Sequence, residues 1–395
     1  MNIQLPAPVR YAMNALNRAG YQAYIVGGCV RDLLLNQEPH DYDVTTSATP
    51  EEMLELFKRE RLVTNGLKHG TVTLIKYGDA VEMTTFRIDG EYTDGRHPDA
   101  VEFTGNLYED VARRDFTMNA LCWNSETGLI DYVDGEADIQ KRMVRCVGDP
   151  DRRFREDALR ILRAMRFSSV LDFDIDPLTA QCAKDNRELL KKVSAERILV
   201  EVRKLLVGVR AEQILMDFRS VFEVIMPELA ELSEDEYMHS ARRVSLTPPA
   251  PELRLAALMY GISPEKISEC AARLKFSRVS RKFIETAGQN ALRPLPMNRY
   301  EMRKMLGELG EEMLSGLIEL RNADVKAMCH LVIQQGDCVS VKQLAVNGED
   351  VFSVGVIRRR TGACLNGLLD AVMAGRVANE KEALLELARS EFAEK

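Results

Sequence analysis

Gly27-Gly28-Cys29-Val30-Arg31-Asp32, followed nine residues after Asp32 by Asp41-Tyr42-Asp43, is the stretch on which the reading of this chain turns. Just upstream, Tyr24-Ile25-Val26 is a short apolar run that reads as a strand. The glycine pair breaks it, and Val30 to Leu35 has helical character. A strand, a glycine turn and a helix start let backbone N–H groups approach a phosphate chain. His40-Asp41-Tyr42-Asp43-Val44 is strand-like in its turn. Residues two apart on a strand share a face, so Asp41 and Asp43 are expected side by side. Two adjacent carboxylates repel unless a cation lies between them. A hard divalent ion such as Mg²⁺ takes oxygen ligands and leaves room for substrate phosphates. A phosphate cradle beside a metal-binding carboxylate pair is the layout of a nucleotidyl-transfer site.

Composition bounds the rest. A chain of 395 residues is too long for one ordinary core, so two to four domains are expected. Apolar content of 46% and charged content of 29% are those of a soluble globular protein. No window approaches 18 uncharged apolar residues, so no membrane span is expected. The first residues lack the basic and apolar regions of a secretory signal. The eight cysteines are scattered without a Cys-x-x-Cys pair, and the five histidines are unpaired at helical spacing. That argues against zinc and disulfides and for reduced thiols in a cytoplasm. Net charge is −8, which by bulk counts against nucleic-acid binding. Local runs differ: residues 141–170 hold nine Lys/Arg against four Asp/Glu, and Arg273 to Lys282 and Arg358-Arg359-Arg360 are also basic. Each run is either a solvated helix face or a contact for phosphate.

Along the chain, residues 8–20 read as an amphipathic helix, and Thr49-Pro50-Glu51-Glu52 opens another through about Arg59. Residues 70–87 read as a hairpin turning at Gly78-Asp79. Glu82 lies in it between Val81 and Met83. It either joins Asp41 and Asp43 as a third carboxylate or is an exposed strand residue. Residues 88–105 are polar and glycine-rich and read as a long loop. In Arg113-Arg114-Asp115-Phe116-Thr117-Met118-Asn119, Arg114 offers a fork of donors to phosphate. Asp115 and Asn119, four apart, are expected on one helix turn facing a ribose hydroxyl and a phosphate. From about Asp149 strand signals nearly vanish. Residues 154–167 read as one helix on which Asp157, Arg160, Arg163 and Arg166 form a polar wall. Asp157 and Arg160 are then i,i+3 neighbours, an ordinary salt bridge in the plainest reading. Helices follow over 176–206, 252–290, 299–325 and 379–393, with a corner at Pro248-Pro249-Ala250-Pro251.

Gly-Gly-x-Val-Arg-Asp with Asp41-x-Asp43, the 113–121 stretch, Asp131-Tyr132-Val133-Asp134-Gly135 and Glu156-Asp157-x-x-Arg160 occur in the order found in class II tRNA nucleotidyltransferases. The chain resembles the CCA-adding enzymes and their poly(A) polymerase relatives, strongly over residues 20–170 and in pattern beyond. The fold implied is α+β: a polymerase-β-like nucleotidyltransferase head at 1–148, then an all-α neck at 149–208, body at 209–325 and tail at 326–395. The activity implied is template-independent addition of C, C and A to the tRNA 3′ end from CTP and ATP by two-metal transfer. By resemblance, Asp41 and Asp43 are catalytic and hold Mg²⁺. Gly28, Arg31, Arg114, Asp115, Asn119, Arg163 and Arg166 hold the triphosphate and ribose, and Asp157 and Arg160 read the base. A carboxylate that only accepts and a guanidinium that only donates fit the edges of cytosine and adenine and mismatch guanine and uracil. The 88–105 segment matches the flexible loop that the family needs for the switch from CTP to ATP, and the turn at 131–135 matches one linked to domain motion. The helical remainder would take the tRNA acceptor arm. At Arg358-Arg359-Arg360-Thr361-Gly362 the chain departs from the glycine-rich turn of the family's tail. An A-adding enzyme, a bacterial poly(A) polymerase and a non-catalytic RNA-binding protein are the alternatives. A homodimer is among the states that the sequence leaves open.

Overall fold

The computed structural model describes residues 3–90, 101–290, 293–321 and 325–393. By backbone contacts the chain divides into two compact units, residues 1–233 with 272–275, and 234–271 with 276–395.

The first unit opens with α1 (Ala7–Arg18), whose Val9, Ala12, Met13 and Leu16 recur at helical spacing and are all buried. The chain leaves it at Gly20 (φ 90) and enters β1 (Ala23–Val26), buried at every position. An apolar run without alternation belongs inside a sheet. β1 lies near the middle of seven strands in the order β3-β4-β5-β2-β1-β8-β9. Helix α2 (Gly28–Leu34) follows, then β2 (Asp43–Thr46) and α3 (Pro50–Leu56). Thr49 and Glu52 cap α3 reciprocally, Thr49 N donating to Glu52 Oε2 at 2.7 Å. The helix ends at Leu56 rather than near Arg59, where Phe57 leaves helical geometry (φ −102, ψ 18).

Strands β3 (Arg61–Val63), β4 (Thr71–Lys76) and β5 (Asp79–Thr85) complete that side of the sheet. Tyr77 (φ 56) and Gly78 (φ 96) turn β4 into β5, both in the left-handed region that a two-residue hairpin loop requires. β5 runs parallel to β2 with Asp43 opposite Glu82. β6 (Arg87–Asp89) pairs with β7 (Val101–Phe103), so the ends of the expected 88–105 loop form a ladder. The expectation of a flexible loop falls mainly on residues outside those described. Helix α4 (Leu107–Ala112), strands β8 (Cys122–Asn124) and β9 (Gly128–Ile130), helix α5 (Gly135–Gln140) and the short β10 (Met143–Val144) close the head. Tyr24, Val26, Phe86, Leu107, Val111, Ala120, Cys122 and Val147 form its core cluster. Between β9 and α5, Asp131 accepts from the backbone N–H groups of Val133, Gly135 and Glu136 and pins the turn.

α6 (Pro150–Glu156) and α7 (Leu159–Leu171) replace the single helix expected over 154–167. Asp157 is extended (φ −141, ψ 103), and its Oδ1 accepts from Leu159 N at 3.1 Å. An aspartate that bonds the backbone two residues on offers the chain an alternative to helix. β11 (Asp174–Ile175), α8 (Pro177–Asp185), α9 (Ala195–Leu206), α10 (Ala211–Asp217) and α11 (Arg219–Ile225) follow.

The second unit is helical where described. It includes α12 (Glu234–Leu246), α13 (Pro251–Leu258), α14 (Pro264–Arg273, whose last two residues fall in the first unit) and α15 (Arg278–Gln289). α16 (Arg299–Leu309), α17 (Glu311–Leu320), α18 (Lys326–Gln334), α19 (Gly348–Ser353), α20 (Thr361–Met373) and α21 (Lys381–Glu391) complete it. Pro251 opens α13 at the first helical position, so the proline-rich run is a corner. Met302, Met305, Leu314, Ile318 and Cys329 belong to one core, and Val351, Cys364, Leu368, Leu384 and Ala388 to another. All eight cysteines are free thiols, six of them buried. Among the described residues no helix is long and apolar enough to cross a membrane.

Candidate functional site

The site lies where β1 and β2 end. β1 stops at Val26, opposite Asp43, because Gly27 (φ 82) turns the chain away. β2 therefore begins at Asp43 rather than at His40, and Asp41 sits in the irregular segment ahead of it. The two carboxylates are close nonetheless. Asp43 keeps a solvent-facing surface, yet protein crowds its carboxyl. Its pKa is pushed up to about 6 by that desolvation first, then by Asp41 and Glu82, with Arg114 pulling it back. Glu82, directly across the parallel ladder from Asp43, shares its face of the sheet. Glu82 is thus an exposed strand residue that stands beside Asp43.

Carboxylates gathered so that two of them raise the proton affinity of Asp43 are hard oxygen donors for a divalent cation. Among the described residues no three His, Cys, Asp or Glu side chains close around one point. That donor set suits Mg²⁺, which is held by one or two carboxylates and completes its octahedron with water and substrate phosphate.

A cluster of arginines faces the same cleft. A Cβ on Gly27 would stand 3.7 Å from Arg114 Nη1, and one on Gly28 would stand 3.5 Å from Arg31 Nη2. Arg31, 8% exposed, donates through Nη1 to Asn119 Oδ1 (2.7 Å) and through Nη2 to Asp32 Oδ1 (2.7 Å). Arg114 donates through Nη2 to Asp110 Oδ2 (3.0 Å), while its buried Nε has no hydrogen-bond partner among the described residues. An orphaned buried donor in a cationic cluster calls for an anion or water.

Asp115 and Asn119 do not share an α-helical turn. α4 ends at Ala112, and only residues 117–119 form a 3-10 turn. The Asp115 carboxylate is turned by Phe116 N, which donates to its Oδ1 at 2.8 Å. It meets Asn119 Nδ2 at 3.4 Å and Arg163, whose Nε and Nη2 reach Oδ2 at 2.9 and 2.6 Å. Burial alone would raise the Asp115 pKa, but Arg163 outweighs it and the carboxyl is held below its usual range. Asp115 in turn raises the Arg163 pKa. Arg166 Nε stands 2.6 Å from Glu201 Oε2, an ion pair out of line for a hydrogen bond. Burial lowers the Arg166 pKa, with Glu201 opposing.

Asp157 and Arg160 do not pair with each other. Arg197 Nη2 donates to Asp157 Oδ2 at 2.8 Å. Arg160, 9% exposed, is clamped by Glu156 Oε2 at 2.7 Å, and Arg153 O and Arg113 O also accept from it at 3.3 Å. The kink at Asp157 separates the two side chains that an unbroken helix would join.

Sequence reading missed Asp110, Glu201, Arg197 and Phe167. Asp110 is wholly buried and anchors Arg113 (Nε, 3.0 Å) and Arg114. Its signals were the i,i+3 spacing to Arg113 and the i,i+4 spacing to Arg114. Arg197 and Glu201 read as the polar face of an amphipathic helix, and α9 turns that face onto α7.

Residues 23–145 match the Poly A polymerase head domain family. Residues 172–232 match the family described as the probable RNA and SrmB-binding site of polymerase A. Over 192 residues, 49% of this chain and 48% of the other, it is 50% identical to the CCA-adding enzyme of Lactobacillus johnsonii, so that match spans about half of that relative's length. The CCA-adding enzyme of Lactobacillus gasseri is 35% identical over 380 residues, 95% of this chain and 94% of that one. A crystal structure of the Bacillus stearothermophilus CCA-adding enzyme in complex with CTP superposes with a TM-score of 0.81 at 31% identity, covering 98% of each chain.

Proposed function

Since the chain belongs to the family of CCA-adding enzymes, we propose that it is a tRNA nucleotidyltransferase that adds C, C and A to the tRNA 3′ end from CTP and ATP. One observation carries the reading. Arg114, beside the Gly27 turn, also acts on the Asp43 carboxyl, so carboxylates and phosphate-binding cations meet in one cleft.

Asp41 and Asp43, with Glu82 beside them, would hold Mg²⁺, which when bound supplies Lewis-acid charge at the reacting phosphate. The chain's own residues do the rest. Gly27, with its positive φ of 82, makes the turn beside which Arg114 lies. Arg31, Arg114, Arg163 and Arg166 neutralise a triphosphate chain that would otherwise be repelled by the carboxylates. They orient the α-phosphorus toward the RNA 3′ oxygen, so that a new P–O bond forms as the 3′ hydroxyl releases its proton to solvent, the bond to the β-phosphate breaks and pyrophosphate leaves. Asp115 and Asn119 hold Arg163 and Arg31 in place. Asp157 accepts from the base amino group, and Arg160 donates to its ring and carbonyl acceptors. Guanine and uracil would set carbonyl against carboxylate and N–H against guanidinium, leaving unpaired polar groups worth several kcal/mol of rejection. In this reading residues 1–148 are the head, 149–208 the neck, 209–325 the body and 326–395 the tail, and tRNA is met by shape and phosphate in the cytoplasm.

The test is single-nucleotide sizing of products from tRNA transcripts ending at the discriminator base, at C and at CC, with CTP, ATP and Mg²⁺. Extension of all three to CCA followed by a stop is expected. Extension of the CC transcript alone makes it an A-adding enzyme, and long A tails make it a poly(A) polymerase. Asp41→Ala should abolish transfer and leave tRNA binding intact. Near-normal turnover in that variant would refute the catalytic assignment.

A further inference from the structure

Three guanidinium groups of the nucleotide site gather on a single ring. Arg166 Cζ lies 3.9 Å from the centroid of Phe167, Arg31 Cζ 5.3 Å and Arg163 Cζ 5.4 Å. Arg31 comes from α2 of the head, and Arg163 and Arg166 from α7, more than 130 residues later. Phe167 is 7% exposed, and the Phe116 ring stands nearly perpendicular to it, centroids 5.7 Å apart at 79°. The ring is therefore held by packing from the head while it belongs to α7.

Like charges so close repel, and something must keep them together before a ligand arrives. Carboxylates do part of this: Asp32 for Arg31, Asp115 for Arg163, Glu201 for Arg166. Each carboxylate also cancels charge that an incoming phosphate needs and itself repels that phosphate. An aromatic face differs. Its quadrupole attracts cations without a formal negative charge, so the guanidiniums keep their pull on an anion. A buried ring also loses less of that attraction to water than an exposed one.

We propose that Phe167 is a positioning residue for the triphosphate: its ring collects Arg31, Arg163 and Arg166 from head and neck into one anion-binding cluster without neutralising them. The proposal rests on the reading of this cleft as the nucleotide site. Phe167 touches no substrate; it acts through the three arginines. Because the ring serves the phosphate chain rather than the base, its loss should be felt in proportion to ligand charge. A merely structural role would weaken every nucleotide alike.

The experiment measures CTP and CMP binding to the full-length protein, in the wild type, in Phe167→Leu, and with phenylalanines of increasing fluorine substitution placed at 167. Fluorination drains the quadrupole and keeps the ring's shape, so it remains informative where leucine impairs folding. CTP binding is expected to weaken about ten-fold in Phe167→Leu, and stepwise with each added fluorine, while CMP binding changes less than about two-fold. Equal weakening of CTP and CMP overturns the proposal, and so does a pentafluorinated ring that binds CTP as phenylalanine does. Wild-type protein that does not bind CTP overturns the nucleotide-site reading and this proposal with it.

Discussion

Asp110 offers the sharpest test of how the arginine cluster is built. Its carboxylate has no exposed surface. Oδ1 receives Arg113 Nε at 3.0 Å, and Oδ2 receives Arg114 Nη2 at 3.0 Å and Thr45 Oγ1 at 3.2 Å. Asp110→Asn keeps the shape and removes the charge. Two arginines then lose a shared buried counter-ion, and breaking such a pair costs about 3–5 kcal/mol. The amide oxygen still accepts one donor, so we expect the low end, about 3 kcal/mol. For a unit of this size that lowers the midpoint of thermal unfolding by roughly 6–12 °C. The pH dependence gives a second readout. Burial alone would raise the Asp110 pKa, but Arg114 and then Arg113 outweigh it, and the carboxyl sits below its ordinary 3.8. A lowered carboxyl pKa stabilises the fold above the unfolded value and ceases to do so as pH falls through the folded one. The gap between wild type and variant should therefore be full at pH 7 and begin to close only below about pH 4. Urea unfolding at a series of pH values measures it. A loss under about 1 kcal/mol at pH 7, or a gap that stays constant into acid, would refute the assignment of Asp110 as the anchor of Arg114.

Asp43, raised to about 6, makes the opposite prediction. Without metal, its contribution to stability is present below 3.8 and lost as pH rises through about 6. Mg²⁺ needs the ionised form, so affinity measured by calorimetry should be about ten-fold weaker at pH 5 than on its plateau. Glu82→Gln should move that midpoint down, and an affinity flat from pH 8 to 5 would remove the basis for the prediction. Asp157→Ala should loosen the preference for CTP and ATP over GTP and UTP more than it raises the KM for triphosphate. It removes the acceptor for the base amino group and also frees Arg197 from its 2.8 Å bond; unchanged rejection of GTP and UTP would sink the base-reading role.

The local grammar of the head was legible because it obeys local rules. The apolar run at 23–26, the glycine turn and the capping box at Thr49 and Glu52 each announce themselves within a few residues; so does the hairpin, though its turn falls at Tyr77-Gly78, one residue before the Gly78-Asp79 that the sequence suggests. Where the reading failed locally, a side chain competed with the backbone: Asp157 capped Leu159 and split the helix.

What the sequence by itself determined was the inventory: which carboxylates, which arginines, and the order of motifs that resembles one family. Only the tertiary structure decided the pairing. Glu82 reaches Asp43 across a parallel ladder between residues 39 apart in the chain. Asp115 finds Arg163 rather than a neighbour on its own turn, and Asp157 finds Arg197 rather than Arg160. Phe167 had no signature of its own, and Asp110 only its helical spacing to Arg113 and Arg114, because each looks like ordinary core or surface until its partners converge on it. Charges and rings act over a few ångströms, and it is the fold that sets those separations.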